Sequence, residues 1–443
     1  MERDLLARLY AEHVRDLDRR YAAALQECGF DAVVVHSGTA LKRSEFDDQY
    51  WPLRPVPHFQ HWVPLAWPDC AVLIRPGQVP KLFRMVSRSY WEQPAAHDSD
   101  HWQGPWDIVD LTNPDAVAQH LPQGRVAFVG EDRARARAWG IADDAVNPPK
   151  LAGRLDRLRV HKSAYEVECL AEANRRAVRG HDALQQAFLQ GDRTELDLHL
   201  LFLAATGQDD PETPYKNIVA QGRNAAVLHH VGYQRSAPSR SAESLLLDAG
   251  ATFQGYAADI TRTWVKGSGA TADAFRALVD ETERMQQRLC ASVQVGLPYE
   301  ELHEQAHRQV AGILREVGIL LHDLGPQAAG RISRAFFPHG LGHSLGLQCH
   351  DVGCALVKPK LDNPFLRNTS IIEAGQVFTI EPGIYFIPSL LDDLQAGPYS
   401  AAIDWRLVHA LAELGGVRIE DDLFVTGGPD TVRNLTRESF GAA

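Results

Sequence analysis

The sequence lacks any sustained basic run, and its 45 Lys and Arg stand against 57 Asp and Glu, for a formal net charge of −12. Binding a polyanion needs clustered Lys and Arg to displace its counterions, so a nucleic-acid partner is not expected. A long apolar run is missing as well. In the amino-terminal stretch MERDLLARLYAEHVRDLDRR, charges interrupt every apolar segment. That suits neither a secretory signal nor a transmembrane span of about 18 or more apolar residues, so no membrane association and a cytoplasmic location are expected. The six cysteines, at positions 28, 70, 169, 290, 349 and 354, do not form a disulfide framework in a chain of this size and read as reduced thiols. Cys349 and Cys354 flank His350, but no second Cys/His pair with zinc-finger spacing accompanies them. Neither an internal repeat nor a low-complexity tract is evident.

What is present is a globular composition, 45% hydrophobic and 23% charged, over 443 residues, which is too long for one ordinary core. Two domains are expected, residues 1–160 and 161–443, with the boundary near Val160. Residues 3–28 carry apolar positions at helical spacing, DAVVVH reads as a buried strand, and CAVLIRPGQVPKLFRMV reads as two strands around a Pro-Gly turn. Asn113 can cap a short helix ahead of the strand RVAFVG. NPPKLAGRLDRLRVHKS, rich in Pro, Gly and basic residues, suits a surface connection. Ser163 with Glu166 forms a capping-box pattern that opens a helix running to about Leu189, TELDLHLLFLAATG begins a second, and YEELHEQAHRQVAGILREVGI forms another.

Five side chains with ligand chemistry lie in short runs built to aim them: Asp248, Asp259, His343, Glu381 and Glu420. SLLLDAGATFQGYAADITRTWVKG reads as a hairpin, and a two-residue Phe253-Gln254 connection would set Asp248 directly opposite Asp259. Facing carboxylates repel unless a cation sits between them. A different loop length would shift the register and leave both as ordinary turn and strand-end residues. PHGLGHSLGLQCHDVG brings His339, His343 and His350 into one Gly-rich segment. His339 and His343 have the spacing of helical zinc-protease ligands, but Gly340 stands where the Glu is needed and glycine disfavours the helix, so a loop or strand presentation is expected. In GQVFTIEPGIYF, alternation places Glu381 at a strand end before Pro382-Gly383. In GGVRIEDDLFVT, Arg418 and Glu420 share one face, either as ligand and neighbour or as a buried ion pair. Four carboxylates and one imidazole suit two ions of Mn, Co, Fe or Zn, which together lower the pKa of a water and polarise a carbonyl or phosphoryl oxygen.

The ordered motifs DAGATFQGYAADITRT, HGLGHSLGLQCHDVG, TIEPGIYF and GVRIEDD resemble those of the proline-specific metallopeptidases of pita-bread (creatinase/aminopeptidase) fold, most closely the bacterial prolidase branch. FDDQYWPLRPVPHFQHWVPL resembles the prolidase and organophosphorus acid anhydrolase branch, so the similarity spans essentially the whole chain. The resemblance implies an α+β protein, a pita-bread catalytic domain preceded by a smaller creatinase-like α/β domain. It implies two divalent ions per subunit, manganese ahead of cobalt, zinc or iron. Asp259 and Glu420 would bridge them, Asp248 would chelate the second, and His343 with Glu381 would complete the first. It assigns His350 to the scissile carbonyl or tetrahedral intermediate and His229 to substrate, with His339, Arg418 and Tyr215 in the same pocket. The family usually has Tyr where this chain has His230, and Arg418 and Arg406 are both candidates to meet the substrate carboxylate.

The implied reaction is hydrolysis of Xaa-Pro dipeptides by a bridging hydroxide, with Glu381 shuttling the proton and His350 stabilising the oxyanion, and with a side activity on organophosphorus triesters. An X-Pro bond has no N–H, so recognition falls to the imino ring and the free carboxylate. Two alternatives stand beside it: aminopeptidase P-like cleavage of longer peptides, and a metal-free creatinase-like or binding relative. The segment between Tyr385 and Gly415, with IDWRLVHALAELG, resembles the prolidase branch. The resemblance also implies a homodimer in which Asp47 or Asp48 reaches a neighbour's pocket.

Overall fold

The amino-terminal apolar spacing forms one continuous helix, Arg3–Cys28, whose buried face carries Leu6, Tyr10, Val14, Leu17, Tyr21 and Leu25. The computed structural model describes residues 3–86, 90–91, 101–236, 242–428 and 432–441. It divides into two compact units, Met1–Glu168 and Cys169–Ala443. Among the described residues, no helix is long and apolar enough to cross a membrane.

In the first unit, β1 (Ala32–His36), β2 (Ala71–Ile74), β3 (Lys81–Met85), β4 (Asp107–Leu111) and β5 (Val126–Val129) form a mixed sheet in the order β4-β3-β2-β1-β5. β1 and β2 are buried along their whole length, which is why both read as unbroken apolar runs rather than alternating ones. Asn113 accepts a bond from the Asp115 N–H and caps the 3-10 segment Pro114–His120 that leads to β5. The expected surface connection at residues 149–158 is instead a helix, Pro149–Leu158. Its proline occupies the first turn, where the missing N–H has no intrahelical partner anyway, and Leu151, Leu155 and Leu158 share the buried face. Proline, glycine and the basic residues hid a helical apolar stripe.

The helix Ala164–Gln190 opens with the reciprocal capping bonds that Ser163 and Glu166 foretell: Ser163 N–H to Glu166 Oε2 at 2.8 Å and Glu166 N–H to Ser163 Oγ at 3.4 Å. Glu166 is fully buried, with His61 Nε2 at 3.4 Å and His13 Nδ1 at 3.8 Å. Burial raises its pKa, but His61, His13 and Lys162 outweigh that and hold it well below the usual carboxylate range.

In the second unit, β6 (Ile218–Gln221), β7 (Ala242–Asp248) and β10 (Thr261–Gly267) form one sheet, and the short β8 (Thr252–Phe253) and β9 (Tyr256–Ala257) close the hairpin between β7 and β10. The hairpin differs from expectation. Its two-residue loop is Gln254-Gly255, both at positive φ (52° and 86°), the backbone that the favoured hairpin turns require. Phe253 pairs with Tyr256, and Asp248 therefore lies opposite Thr261 rather than Asp259. A register shift of two residues preserves side-chain parity, so the carboxylates lose their direct pairing without being sent to opposite faces.

A 22-residue helix, Ala270–Ala291, follows β10 and was not expected from the sequence. It starts at Gly269 with no side-chain cap, so the usual start signal is missing, although Phe275, Leu278, Met285 and Leu289 are buried at helical spacing. The helix Tyr299–Glu316 comes next. Then β11 (Val377–Ile380), β12 (Gly383–Tyr385), β13 (Gly416–Arg418), β14 (Asp421–Val425) and β15 (Val432–Asn434) complete the unit. β11, β14 and β15 form a sheet in that order and β12 pairs with β13, while the 385–415 segment carries the helices Pro388–Ala396 and Trp405–Ala412. Isolated bridges Thr261↔Glu420 and Ser344↔Phe378 tie the sheets together where the acidic and histidine motifs meet.

Candidate metal centre and active site

Strand ends, not strand interiors, supply the acidic groups. Asp248 is the last residue of β7, Asp259 precedes β10, Glu381 follows β11, and Glu420 lies between β13 and β14. Val417 and Ile419 point into the apolar core, which turns Arg418 and Glu420 the other way. His343 sits in a loop pinned to β11: its N–H donates to Thr379 Oγ1 at 3.1 Å, and its carbonyl accepts from the Thr379 N–H at 2.9 Å. A Cβ on the preceding Gly342 would fall 2.2 Å from the Thr379 carbonyl oxygen and 2.4 Å from Tyr299 Oη, so glycine is required for this approach.

These ends converge on a cavity of about 420 Å3, whose lining includes ten of the candidates from the sequence: Tyr215, His229, Asp248, Asp259, His339, His343, His350, Glu381, Arg418 and Glu420. Asp248, Asp259, His343 and Glu420 are each less than a tenth exposed. Tyr215 donates to Asp259 Oδ1 at 2.5 Å, and Cys349 donates to Asp259 Oδ2 at 2.9 Å. His343 Nδ1 donates to the Ser344 carbonyl at 3.1 Å, which turns Nε2 toward Asp259 (3.4 Å) and Glu381 (3.5 Å). Arg418 donates to Asp248 Oδ2 at 2.5 Å, and Thr261 Oγ1 donates to Glu420 Oε2 at 2.6 Å.

The pKa shifts reflect how crowded the negative charge is. Burial, with the other carboxylates, pushes Glu420 well above its usual range, and burial raises Glu381 to about 7. Burial would lower His343, but Asp259 and Glu381 hold its proton and push it up to about 9. Asp248 Oδ1 is buried with no hydrogen-bond partner among the described residues.

A relay with assignable polarity backs the cavity. His339 Nδ1 lies 2.8 Å from the Gly340 carbonyl and must carry the proton; its Nε2 then accepts from Tyr385 Oη at 2.8 Å. Tyr385 Oη in turn accepts from Arg418 Nη1 at 2.8 Å. Burial holds His339 neutral by lowering its pKa to about 3. His350 is also neutral at pH 7, lowered to about 4 by burial and by the neighbouring His343, whose ring centroid is 4.4 Å away.

His230, where the family usually has Tyr, does not line the cavity. It bonds at 2.8 Å to Glu195, a fully buried carboxylate that also accepts from Gln221 N–H (2.8 Å), Asn224 Nδ2 (2.7 Å) and Gln234 N–H (2.8 Å). Glu195 thus anchors both ends of the loop that carries His229. Arg406 lies outside the cavity lining on an exposed helix position, whereas Arg367, which the sequence reasoning passed over, lines it. The only signal for Arg367 was a basic residue between the His350 and Glu381 motifs, with no periodicity to mark it. Among the described residues, it makes no hydrogen bond or ion pair with the protein. Cys349 is another cavity residue to which sequence reasoning gave no role there.

The donor set fits divalent metal. Ligand atoms of Asp259, His343 and Glu420 lie within 4.8 Å of one another, Glu381 and Asp248 flank them, and Arg418 and His343 are the only cationic partners these four carboxylates have among the described residues. An oxygen-rich set with one imidazole suits hard to borderline divalent ions.

Comparison with known proteins agrees. Residues 168–427 match metallopeptidase family M24, and residues 8–157 match the Xaa-Pro dipeptidase amino-terminal domain. The Xaa-Pro dipeptidase of Pseudoalteromonas atlantica is 41% identical over 445 residues, covering 98% of each chain, and that of Xanthomonas axonopodis pv. citri is 39% identical over 456 residues, covering 100% of each. Among solved structures, aminopeptidase P from E. coli with the inhibitor Pro-Leu (22% identity, TM-score 0.73, 96% and 95% covered) and proline aminopeptidase P II from Yersinia pestis (23%, 0.72, 97% and 96%) share the fold. That fold is the α+β pita-bread architecture with a smaller α/β domain before it. The chain belongs to metallopeptidase family M24 and, within it, to the Xaa-Pro dipeptidases.

Proposed function

We propose that the cavity hydrolyses Xaa-Pro dipeptides, with two divalent ions, manganese first, held by Asp248, Asp259, His343, Glu381 and Glu420. When bound, such ions supply Lewis acidity, polarising a carbonyl and making a water acidic enough to react near neutral pH. The protein groups do the rest. Glu381, at the end of β11 and lining the cavity, takes the proton from the attacking water at a carboxylate oxygen and returns it to the proline nitrogen as the amide breaks. His350, neutral at working pH, donates an imidazole N–H to the developing oxyanion. Tyr215 and the Arg418–Tyr385–His339 relay hold Asp259 and Asp248 in orientation. His229 faces the substrate, and Leu228, Val231 and Phe365 offer apolar wall for the proline ring.

The observation that carries the dipeptide reading is Arg367. Among the described residues it is the lining cation without a hydrogen bond or ion pair, and a guanidinium is suited to a carboxylate placed one residue beyond the scissile bond. Arg418, already engaged by Asp248, Tyr385 and Thr261, is a positioning residue. An organophosphorus triester has no carboxylate for Arg367 and is expected to be a weak substrate. The test compares manganese-loaded protein on an Xaa-Pro dipeptide and on the Xaa-Pro tripeptide. The dipeptide should be cleaved far faster, and Arg367→Ala should raise its KM by roughly 10-fold or more with a smaller change in kcat. Equal rates on the tripeptide would reject a dipeptidase in favour of aminopeptidase P-like cleavage. Protein that binds no manganese and gains no activity from it would reject the metal-dependent reading altogether.

A further inference from the structure

One thiol faces the oxygen-rich centre. Cys349 is half-buried, lines the cavity and donates to Asp259 Oδ2 at 2.9 Å; the other five cysteines lie outside the lining. The next residue, His350, is exposed toward the cavity, and its ring stands 4.4 Å from that of His343 at an interplanar angle of 75°. One nitrogen of each histidine and Cys349 Sγ lie within 4.8 Å of one another. This second donor set, two imidazoles and a sulfur, shares only His343 with the carboxylate set. Carboxylate-rich sites suit manganese, whereas sulfur with imidazole selects softer ions.

We propose that His343, Cys349 and His350 bind one soft divalent ion, Cd2+ or Zn2+, and that its binding inhibits the hydrolase. Zn2+ takes bonds of about 2.3 Å to sulfur and about 2.0 Å to nitrogen, which needs donors that already lie close together, as these three do. His350 is exposed, so its ring is the donor that adjusts with least disturbance to the buried packing. On binding, the Cys349 S–H bond breaks and a sulfur–metal bond forms, any proton on His343 Nε2 leaves as that nitrogen ligates, the released protons pass to solvent, and no electrons are transferred. Inhibition follows from three losses. The ion takes the His343 imidazole away from the carboxylate set and the His350 N–H away from the oxyanion, and Asp259 loses the Cys349 hydrogen bond. The inhibitory half rests on the hydrolase reading above; the site itself does not.

Serine and valine separate the two jobs of the thiol. Cys349→Ser keeps a hydrogen-bond donor for Asp259 but offers no soft ligand, and Cys349→Val offers neither. Manganese-loaded full-length protein is titrated with Cd2+ without substrate, reading the ultraviolet sulfur-to-cadmium charge-transfer absorbance, and then with a dipeptide, reading rate relative to each variant's own uninhibited rate. Wild type should show an absorbance that both variants lack, and both variants should need at least about tenfold more Cd2+ for half-inhibition. Excess manganese should shift the wild-type curve to higher Cd2+. Equal absorbance or equal inhibition in wild type and Cys349→Ser would overturn the proposal, as would Cys349-dependent absorbance with no inhibition of an active enzyme. Cys349-dependent absorbance in protein that shows no manganese-dependent dipeptidase activity would support the site and reject the hydrolase reading instead.

Discussion

Each unit buries carboxylates, and they are treated differently. In the first unit Glu166 sits among His13, His61 and Lys162, accepts a capping bond from the Ser163 N–H, and is held ionised at a depressed pKa. In the second, Asp248, Asp259, Glu381 and Glu420 crowd one cavity with Arg418 and His343 as partners; Glu420 and Glu381 are forced upward, and Asp248 Oδ1 is left unbonded. A buried carboxylate with its own partners is architecture. A buried surplus of carboxylate is a request for cations from outside, because removing charge from water without compensation costs several kcal/mol per ion.

Substitution by the neutral isostere should separate the two kinds. Glu420→Gln should reduce dipeptidase activity by roughly 10^3-fold or more, since it removes a ligand of the reacting centre. In chelator the same variant should melt no lower than wild type, because it relieves repulsion. A Tm well below that of chelated wild type would break the comparison.

Glu166→Gln should do the opposite, costing about 3–5 kcal/mol in denaturant titration as a buried ion network loses its anion. A stability within error of wild type would show that Glu166 is no anchor.

Acid should weaken the first unit through its buried imidazoles. Burial lowers His61 and His36 to about 4 from 6.5, so between those values the unfolded chain binds more protons than the folded one. Their contribution is complete above pH 6.5 and drains away as pH falls toward 4, by up to roughly 3 kcal/mol for each imidazole. His61→Gln should flatten the slope of stability against pH in that window; an unchanged slope would mean the ring is already charged when folded.

The smallest expected effect concerns Glu195. Glu195→Gln should loosen the loop that carries His229 and raise KM for the dipeptide by about fivefold, near 1 kcal/mol, with kcat little changed. Parallel loss of kcat and KM effects of equal size would place Glu195 in the chemistry instead of behind it.

Much of this was legible because local signals agreed with the final structure. β1 reads as buried because both of its faces are covered; Ser163 and Glu166 cap because the pattern is a local reciprocal bond; Glu381 ends a strand because Pro382 and Gly383 follow it. Elsewhere local signals misled or were silent. The Gly269 start gave no cap to announce the helix Ala270–Ala291, and Pro149 disguised a helix as a linker. The hairpin register depended on which two residues accept positive φ, and that choice moved Asp248 from Asp259 to Thr261.

Of the cavity lining, Asp248, Asp259, His339, His343, His350, Glu381, Arg418 and Glu420 were readable in the sequence, because chemistry of that kind needs particular donors in short, glycine-bounded runs, and such runs are readable one at a time; Tyr215 and His229 came from the family resemblance. Only the tertiary structure decided what surrounds them. It set Arg367 free and committed Arg418 to Asp248, turned His230 away to Glu195, and brought the Cys349 thiol to 2.9 Å from Asp259. Those choices depend on contacts between segments far apart in the chain, where packing and charge compensation, rather than local pattern, select the neighbour.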